Sequence, residues 1–449
     1  MLNRLRNSPR AQPGITLAAL AVLSAIFEAL RRLGDLKLYV VEAIALALTA
    51  GALYFVALYA LEHTREHRAT LWLVLAGAVL FRALLVPLVP TLSTDLNRYR
   101  WDGLVQQAGF NPYSVPPNDP RLRPLREQLG PNAWADMPGQ EVPTIYPPLT
   151  EQVFRLTWRW LPGPVAFKLP FLLADLLIVL MLAGWVRSTR GKACQVAVYA
   201  WNPLVVVEFA GSGHNDALAL AGVVAAVVII RRSPVVSTWL LAAAALAKAF
   251  PAVLLPLWMR RAGWPRVRGW LAVLGAVLLV GLLAWPYRAA WPEYLNVLAY
   301  YEWRWQNNNA SLYMVIEWFA ESSLVAAGVA VGVVGGLALW AARREIDPAR
   351  AAYLLIGATL MLTPNGFSWY FTWIVPVLCF LPGLRTTPAW LLLTVLQFLS
   401  YNVLIDFQAS GRWHFDAVMQ WLTYAPFYAF LLCEGLIGRR QSHGVEEAQ

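Results

Sequence analysis

Long apolar runs alternate with short polar breaks from residue 15 to residue 436, and a single long polar stretch, 91–147, interrupts the series. Crossing the hydrocarbon of a bilayer takes about 20 helical residues. The runs predict spans at 15–30, 37–60, 70–90, 165–186, 193–210, 214–230, 269–286, 322–341, 350–363, 367–383, 388–405 and 416–436. The stretch 237–259 reads differently, because proline removes a backbone donor and clashes with the preceding turn. Broken at Lys248 and Pro251, it predicts two half-helices in a re-entrant hairpin. The expected fold is all-α, a single integral membrane domain over 1–449 with about 12–14 transmembrane helices and a long outer loop.

Composition removes the soluble alternatives. Of 449 residues, 59% are hydrophobic and 14% charged, whereas soluble domains hold about 45–50% and about 25%. A net charge of +10 would point a soluble chain toward nucleic acid. Here the arginines cluster between apolar runs, so the expected partner is the lipid bilayer and not nucleic acid. With Arg4, Arg6 and Arg10 inside, the clusters Arg65/Arg68, Arg187/Arg190/Lys192, Arg231/Arg232, Arg260/Arg261/Arg266/Arg268, Arg343/Arg344/Arg350, Arg385 and Arg439/Arg440 all fall on the cytoplasmic side. Only Arg31/Arg32 dissent. That pair stands where a signal peptide would need small residues, so the first span is read as retained. Cys194, Cys379 and Cys433 sit in apolar runs without CxxC spacing and read as core residues.

This topology sends every unusual segment to the opposite face. They are the loop 91–147, the turn 211–216, the aromatic stretch 288–313 of a second outer loop at 288–321, the turn 363–366 and the loop 406–415. Their convergence suggests one extracytoplasmic site on a multi-pass protein of the cell inner (plasma) membrane. A transport path would instead place polar residues at midplane and on both sides.

The first outer segment reads Ser93-Thr94-Asp95-Leu96-Asn97-Arg98-Tyr99-Arg100-Trp101-Asp102. Asp95 follows Thr94 at a helix start, where a capping role is the plain alternative. Asp95, Arg98 and Asp102 share a helical face, where surface ion pairing is the plain alternative. A carboxylate emerging from a span into a loop too long for a connector favours function, so Asp95 is the first acid/base candidate and Asp102 the second. Tyr113 and Tyr146 are interfacial aromatics or site-lining ones. Trp201-Asn202-Pro203 leads past Glu208 to Gly213-His214-Asn215-Asp216, a run costly to face toward lipid and suited to phosphate or sugar hydrogen bonding. His214 and Asp216 lack the spacing of a metal site. Lys248 either snorkels to the interface or offers its ammonium to an anionic headgroup. Lys168 and Asp175 lie too far apart to pair and are read as satisfying neighbouring helices. The run Tyr300–Ser311 joins aromatic rings, Arg304 and three asparagines, a combination suited to sugars, and Thr363-Pro364-Asn365-Gly366-Phe367-Ser368-Trp369-Tyr370 opens an aromatic span on the same face.

Taken together, these pieces resemble the glycosyltransferase C superfamily, multi-spanning enzymes that use polyprenyl-phosphate sugars at the outer or luminal face. The resemblance rests on Thr94-Asp95-Leu96-Asn97-Arg98-Tyr99, Gly109-x-Asn111-Pro112-Tyr113, Tyr146-Pro147-Pro148-Leu149, and Asn202-Pro203 with Gly213-His214-Asn215-Asp216, as in bacterial polyprenol-phosphomannose-dependent mannosyltransferases. Lys248-x-x-Pro251, Asn309-x-Ser311 and Thr363-Pro364 with Trp369-Tyr370 are similar to the first mannosyltransferase of GPI-anchor synthesis and its bacterial relatives. Asn97 stands where some relatives have a second aspartate.

The resemblance implies an inverting hexosyl transfer, with mannose the best guess, from a polyprenyl-phosphate donor to an extracytoplasmic glycan or lipid acceptor. It implies Asp95 as general base. Lys248, Arg304 and His214 would hold the donor phosphate. Arg98, Tyr99, Tyr146, Asn215, Asp216, Asn309, Asn365, Trp369 and Tyr370 would line the substrate site. No cofactor or metal is expected, although some members of the superfamily use a divalent ion. The alternatives are a lipid-linked sugar flippase or other transporter, and a ligase or polymerase that moves whole glycans.

Overall fold

The structure, a computed structural model, describes residues 11–63, 68–304 and 311–446, with backbone alone at 11–13, 299–304 and 435–446. Every element among them is helical. Among the described residues seven helices are long and apolar enough to cross a membrane: Gly14–Leu33, Val40–His63, Arg68–Leu85, Ala166–Thr189, Val267–Leu298, Ser323–Arg344 and Thr387–Ser410. An eighth is a broken span, Ala193–Ala200 followed by Pro203–Gly211, bent by 51°. The protein is an all-α, multi-pass membrane protein.

Two other predicted spans form shorter helices, Asp216–Ile229 and Pro348–Met361, as does Pro234–Ala247 of the expected hairpin, whereas the predicted last span forms the 30-residue helix Ala417–Glu446. Fourteen residues rise about 21 Å, short of the roughly 30 Å hydrocarbon. Each shortfall ends at a polar motif: the turn 211–216, Lys248, or 363–366. Irregular backbone at membrane depth is tolerated where protein covers it, and Ser212, His214, Asn215, Asp216 and Asn365 are all buried. The hairpin expected at 237–259 forms as a helix to Ala247, a tight turn at Phe250–Leu254 and a second short helix, Leu255–Arg261.

The labels needed below are α1 (Asp95–Gln107), α2 (Pro148–Trp160), α3 (Leu169–Thr189), α4 (Ala193–Ala200), α5 (Asp216–Ile229) and α6 (Pro234–Ala247). α1 and α2 pack together outside the spans. Gly103 makes this possible, since a Cβ there would lie 2.5 Å from the Phe154 carbonyl oxygen. Tyr99 stacks on Phe154 with ring centroids 4.7 Å apart. The loop 108–147 closes over this pair around its own small core of Trp101, Leu122, Leu125 and Met137.

Buried cations hold the broken span. The Arg82 guanidinium meets Asp175 of α3 at 2.5 and 3.0 Å and donates to the Ala200 carbonyl at 2.8 Å, capping the end of α4. The Tyr199 hydroxyl donates to the same carboxylate at 2.7 Å. Asn202 restarts the chain by accepting from the Leu204 and Val205 amides at 3.0 and 3.3 Å. Lys168 donates to the carbonyls of Leu88, Ala210 and Gly211 at 2.7, 2.8 and 3.0 Å. As the sequence indicated, Lys168 and Asp175 serve neighbouring segments and not each other.

Candidate active site

Asp95 is the first residue of α1, and Thr94, the residue before it, makes no side-chain cap bond. The capping alternative therefore leaves the Asp95 carboxylate unused. That side chain is 26% exposed, and its Oδ2 lies 3.9 Å from Nδ1 of His214. Burial pushes its carboxyl above the usual aspartate range, Asp216 and Glu208 add to the rise, and His214 and Lys248 oppose it. A carboxyl raised toward neutrality is suited to taking a proton.

His214 is 1% exposed and its ring lies flat against Trp369, centroids 4.2 Å apart and planes 18° from parallel. Its Nε2 lies 3.4 Å from Oε2 of Glu208. Glu208 belongs to a turn of π-helix at Val207–Gly211, and its carbonyl accepts from the His214 amide at 3.0 Å. That wide turn folds His214 back over Glu208. The other carboxylate oxygen, Oε1, accepts from Ser368 and Tyr401 at 2.9 and 2.6 Å. Asp216 is spent differently, accepting from Trp373 Nε1 at 2.7 Å and Lys248 Nζ at 3.1 Å. The Lys248 ammonium also sits 4.9 Å over the Tyr370 ring. Thr150 of α2 donates to the Ala247 carbonyl at 2.7 Å, which pins the chain just before Lys248.

The structure thus brings Asp95, His214, Asn215, Asp216, Lys248, Trp369 and Tyr370 together. Tyr99 joins them through its hydroxyl, 3.4 Å from Oδ1 of Asn215, and Tyr146 lies edge-on to Tyr99 at 5.1 Å. Asn365 is buried on the neighbouring 363–368 segment, with its side-chain oxygen unpaired. The side chain of Arg304 and all of Asn309 lie outside the described residues.

Two candidates have other duties. Arg98 holds Asp102 at 3.0 and 3.1 Å and donates to the carbonyls of Gly139 and Val142, so both are buried braces of the loop. Asp102 abuts Glu151, which accepts from Thr144 at 2.6 Å and from Gln106 at 2.7 Å. Burial and the Asp102 charge push the Glu151 carboxyl well above its usual range. Lys248 is no free ammonium at a hairpin tip: it is 16% exposed and paired. A phosphate at His214 would face the carboxylates on either side of the ring, which disfavours the phosphate contact expected there.

Sequence reasoning left Glu208 and Trp373 off the site. Glu208 had a signal, since an ionisable group inside a span is functional by default; Trp373 looked like any belt tryptophan. Among the described residues no three His, Cys, Asp or Glu side chains gather in a way that could hold a metal ion.

A multi-pass helical protein with a loop-borne carboxylate over a buried histidine, acid and lysine fits the class of membrane-embedded glycosyltransferases. Residues 12–262 match the family model of the alpha-(1->6)-mannopyranosyltransferase N-terminal domain, and the chain belongs to this MptA_B family. The matched region contains Asp95, Glu208, His214, Asp216 and Lys248, while Asn365, Trp369, Tyr370 and Trp373 lie beyond it. No curated protein and no solved structure matches the chain.

Proposed function

We propose that this glycosyltransferase moves mannose from a polyprenyl-phosphate donor to a hydroxyl of a glycan or glycolipid acceptor at the outer face of the plasma membrane. The family name supports mannose and an α-(1→6) linkage. The observation that carries the reading is Asp95: partly exposed, uncapped, held above its usual protonation range and set on the lip of a buried polar cluster.

In a single displacement, Asp95 takes the proton of the acceptor hydroxyl as its oxygen bonds to the anomeric carbon. The bond to the lipid phosphate breaks and its electron pair stays on the phosphate oxygen. Inversion that ends in an α linkage starts from a β-linked donor. Lys248 is the cation placed to meet the phosphate. Its ammonium has three donors, of which Asp216 takes one. Asp216 and Trp373 fix its position, and the Tyr370 face supports the charge. Nothing in this sequence of steps calls for a metal.

The test is purified protein with short-chain polyprenyl-phosphate mannose and a mannoside acceptor, followed by lipid phosphate release and linkage analysis. Release coupled to an α-(1→6) product supports the reading. Movement of intact donor across vesicles without release, unaffected by Asp95→Asn, would turn the protein into a transporter.

A further inference from the structure

His214 is held between two carboxylates, and its surroundings match neither a core histidine nor a phosphate contact. Both ring nitrogens are buried without a hydrogen-bond partner, as is Oε2 of Glu208. Unpaired polar atoms at such depth are costly. A buried glutamate with one oxygen saturated and the other aimed at an imidazole edge is an arrangement with a purpose beyond packing. The Trp369 face fixes the plane of the ring so that one nitrogen points at each acid.

We propose that Asp95, His214 and Glu208 form a proton relay, in which His214 takes from Asp95 the proton that Asp95 removes from the acceptor, and Glu208 holds the ring and balances its charge. The proposal rests on Asp95 being the base. At the outset Asp95 and Glu208 are carboxylates and His214 is neutral, with its proton on Nε2 toward Glu208. The acceptor O–H breaks, and its proton goes to Asp95 and on to Nδ1 of His214 as the glycosidic bond forms, so that the Asp95 carboxylate is restored within the same displacement. The imidazolium lies against an indole face and beside an acid, both of which stabilise it. Once the product has left, the proton passes from His214 back to Asp95, the partly exposed member, and from there to solvent.

The distances suit this motion. Among the described residues none donates a hydrogen bond to the Asp95 carboxylate, so a side-chain rotation closes the 3.9 Å gap to Nδ1. Glu208 is the fixed end, anchored by Ser368 and Tyr401. The other ionisable groups facing the array are already engaged: Asp216 with Lys248, and Tyr401 with Glu208. Glu208 is therefore a positioning residue, and His214 acts on substrate through Asp95.

The experiment measures single-turnover lipid phosphate release from short-chain polyprenyl-phosphate mannose across pH, for the wild type, Asp95→Asn, His214→Gln, Glu208→Gln and the His214→Gln/Glu208→Gln double variant. The relay predicts about a tenfold loss of rate in each single relay variant, less than the roughly 10²–10⁴-fold attached to the base itself. Donor KM stays unchanged, the loss shrinks as pH rises and solvent base substitutes, and the double variant is no worse than either single one. A raised donor KM at unchanged rate in His214→Gln, or losses that multiply in the double variant, overturns the relay. Should these variants fail to fold, His214→Ala assayed with added imidazole decides: a rate that imidazole restores supports the relay, and a rate that it leaves unchanged overturns it. Full activity in Asp95→Asn defeats the base assignment, whereas an inactive Asp95→Asn beside fully active His214→Gln and Glu208→Gln defeats the relay alone.

Discussion

Asp95 and Asp102 stand two helical turns apart on α1, in opposite circumstances. Asp102 is 1% exposed and locked to Arg98, while Asp95 is uncapped at the mouth of the cluster. Removing one partner of a buried pair leaves an uncompensated charge, at a cost of about 3–5 kcal/mol. Asp102→Ala is therefore expected to lower the melting temperature in detergent sharply and to expose the 108–147 loop to protease. Asp95→Asn should melt like the wild type, bind donor and lose about 10²–10⁴-fold in turnover. Equal melting of both variants would remove the distinction. Lys248→Met is a third case: it strips Asp216 of its cation, so donor KM should rise and turnover fall, whereas a snorkelling lysine would leave both unchanged. Residue types and spacing were enough to single out Asp95 and Lys248. They could not separate Asp95 from Asp102, because the difference lies in what the loop residues Gly139, Val142 and Thr144 bring back onto α1.

At the scale of elements, the site depends on breaks. The π-turn at 207–211 and the turn after it carry Glu208, His214 and Asp216 from one interrupted span. Gly213 has φ +74°, and a Cβ there would fall 2.5 Å from Lys168 Cγ. Gly213→Ala should therefore strain the turn, displace His214 and lose activity, with a melting temperature that drops by less than for Asp102→Ala. Wild-type activity in Gly213→Ala would mean that the turn yields freely.

The α1–α2 layer brings its own pH dependence. Glu151 has an ordinary value of 4.5 and is held well above it when folded. A group raised by folding stabilises the folded state below its unfolded value, and that contribution is lost as pH climbs through the folded value. Melting of the wild type should thus fall as pH rises above about 4.5, and Glu151→Gln should flatten the slope. The proline and polar interruptions were visible in the apolar pattern, including the break at Lys248. The cations that make those breaks tolerable, Arg82 and Lys168, find partners 42 to 118 residues away, which no local pattern reveals.

Across the whole molecule, two rims are distinguishable by what touches. On one, the Leu36 amide donates to Thr91, Lys37 reaches Asp136 at 3.4 Å and Gln408 donates to the Lys37 carbonyl. Tyr113 of the long loop packs with Tyr287 and Tyr294, so the loop, the 288–298 segment and the 403–410 helix share a side. On the other rim, Lys192 pairs with Glu62 at 2.9 Å, Arg231 with Asp347 at 3.1 Å and Arg260 with Glu345 at 3.2 Å. Three of the basic clusters that define the basic face in the sequence meet their acidic partners there. Arg31 and Arg32, the dissenting pair, are both tied to Glu28, at 2.6 and 2.7 Å, which blunts their charge. The basic rim is expected to face the cytoplasm. On a Cys433→Ser background, Glu127→Cys and Glu293→Cys should react with an impermeant thiol reagent in intact cells, and Arg344→Cys only after permeabilisation; all three side chains are exposed. Glu127 and Glu293 must behave alike, because the tyrosine contacts fix their segments to one rim. Labelling of Arg344→Cys alone in intact cells would invert the protein and place Asp95 on the cytoplasmic side, where a lipid-linked donor would lose its rationale.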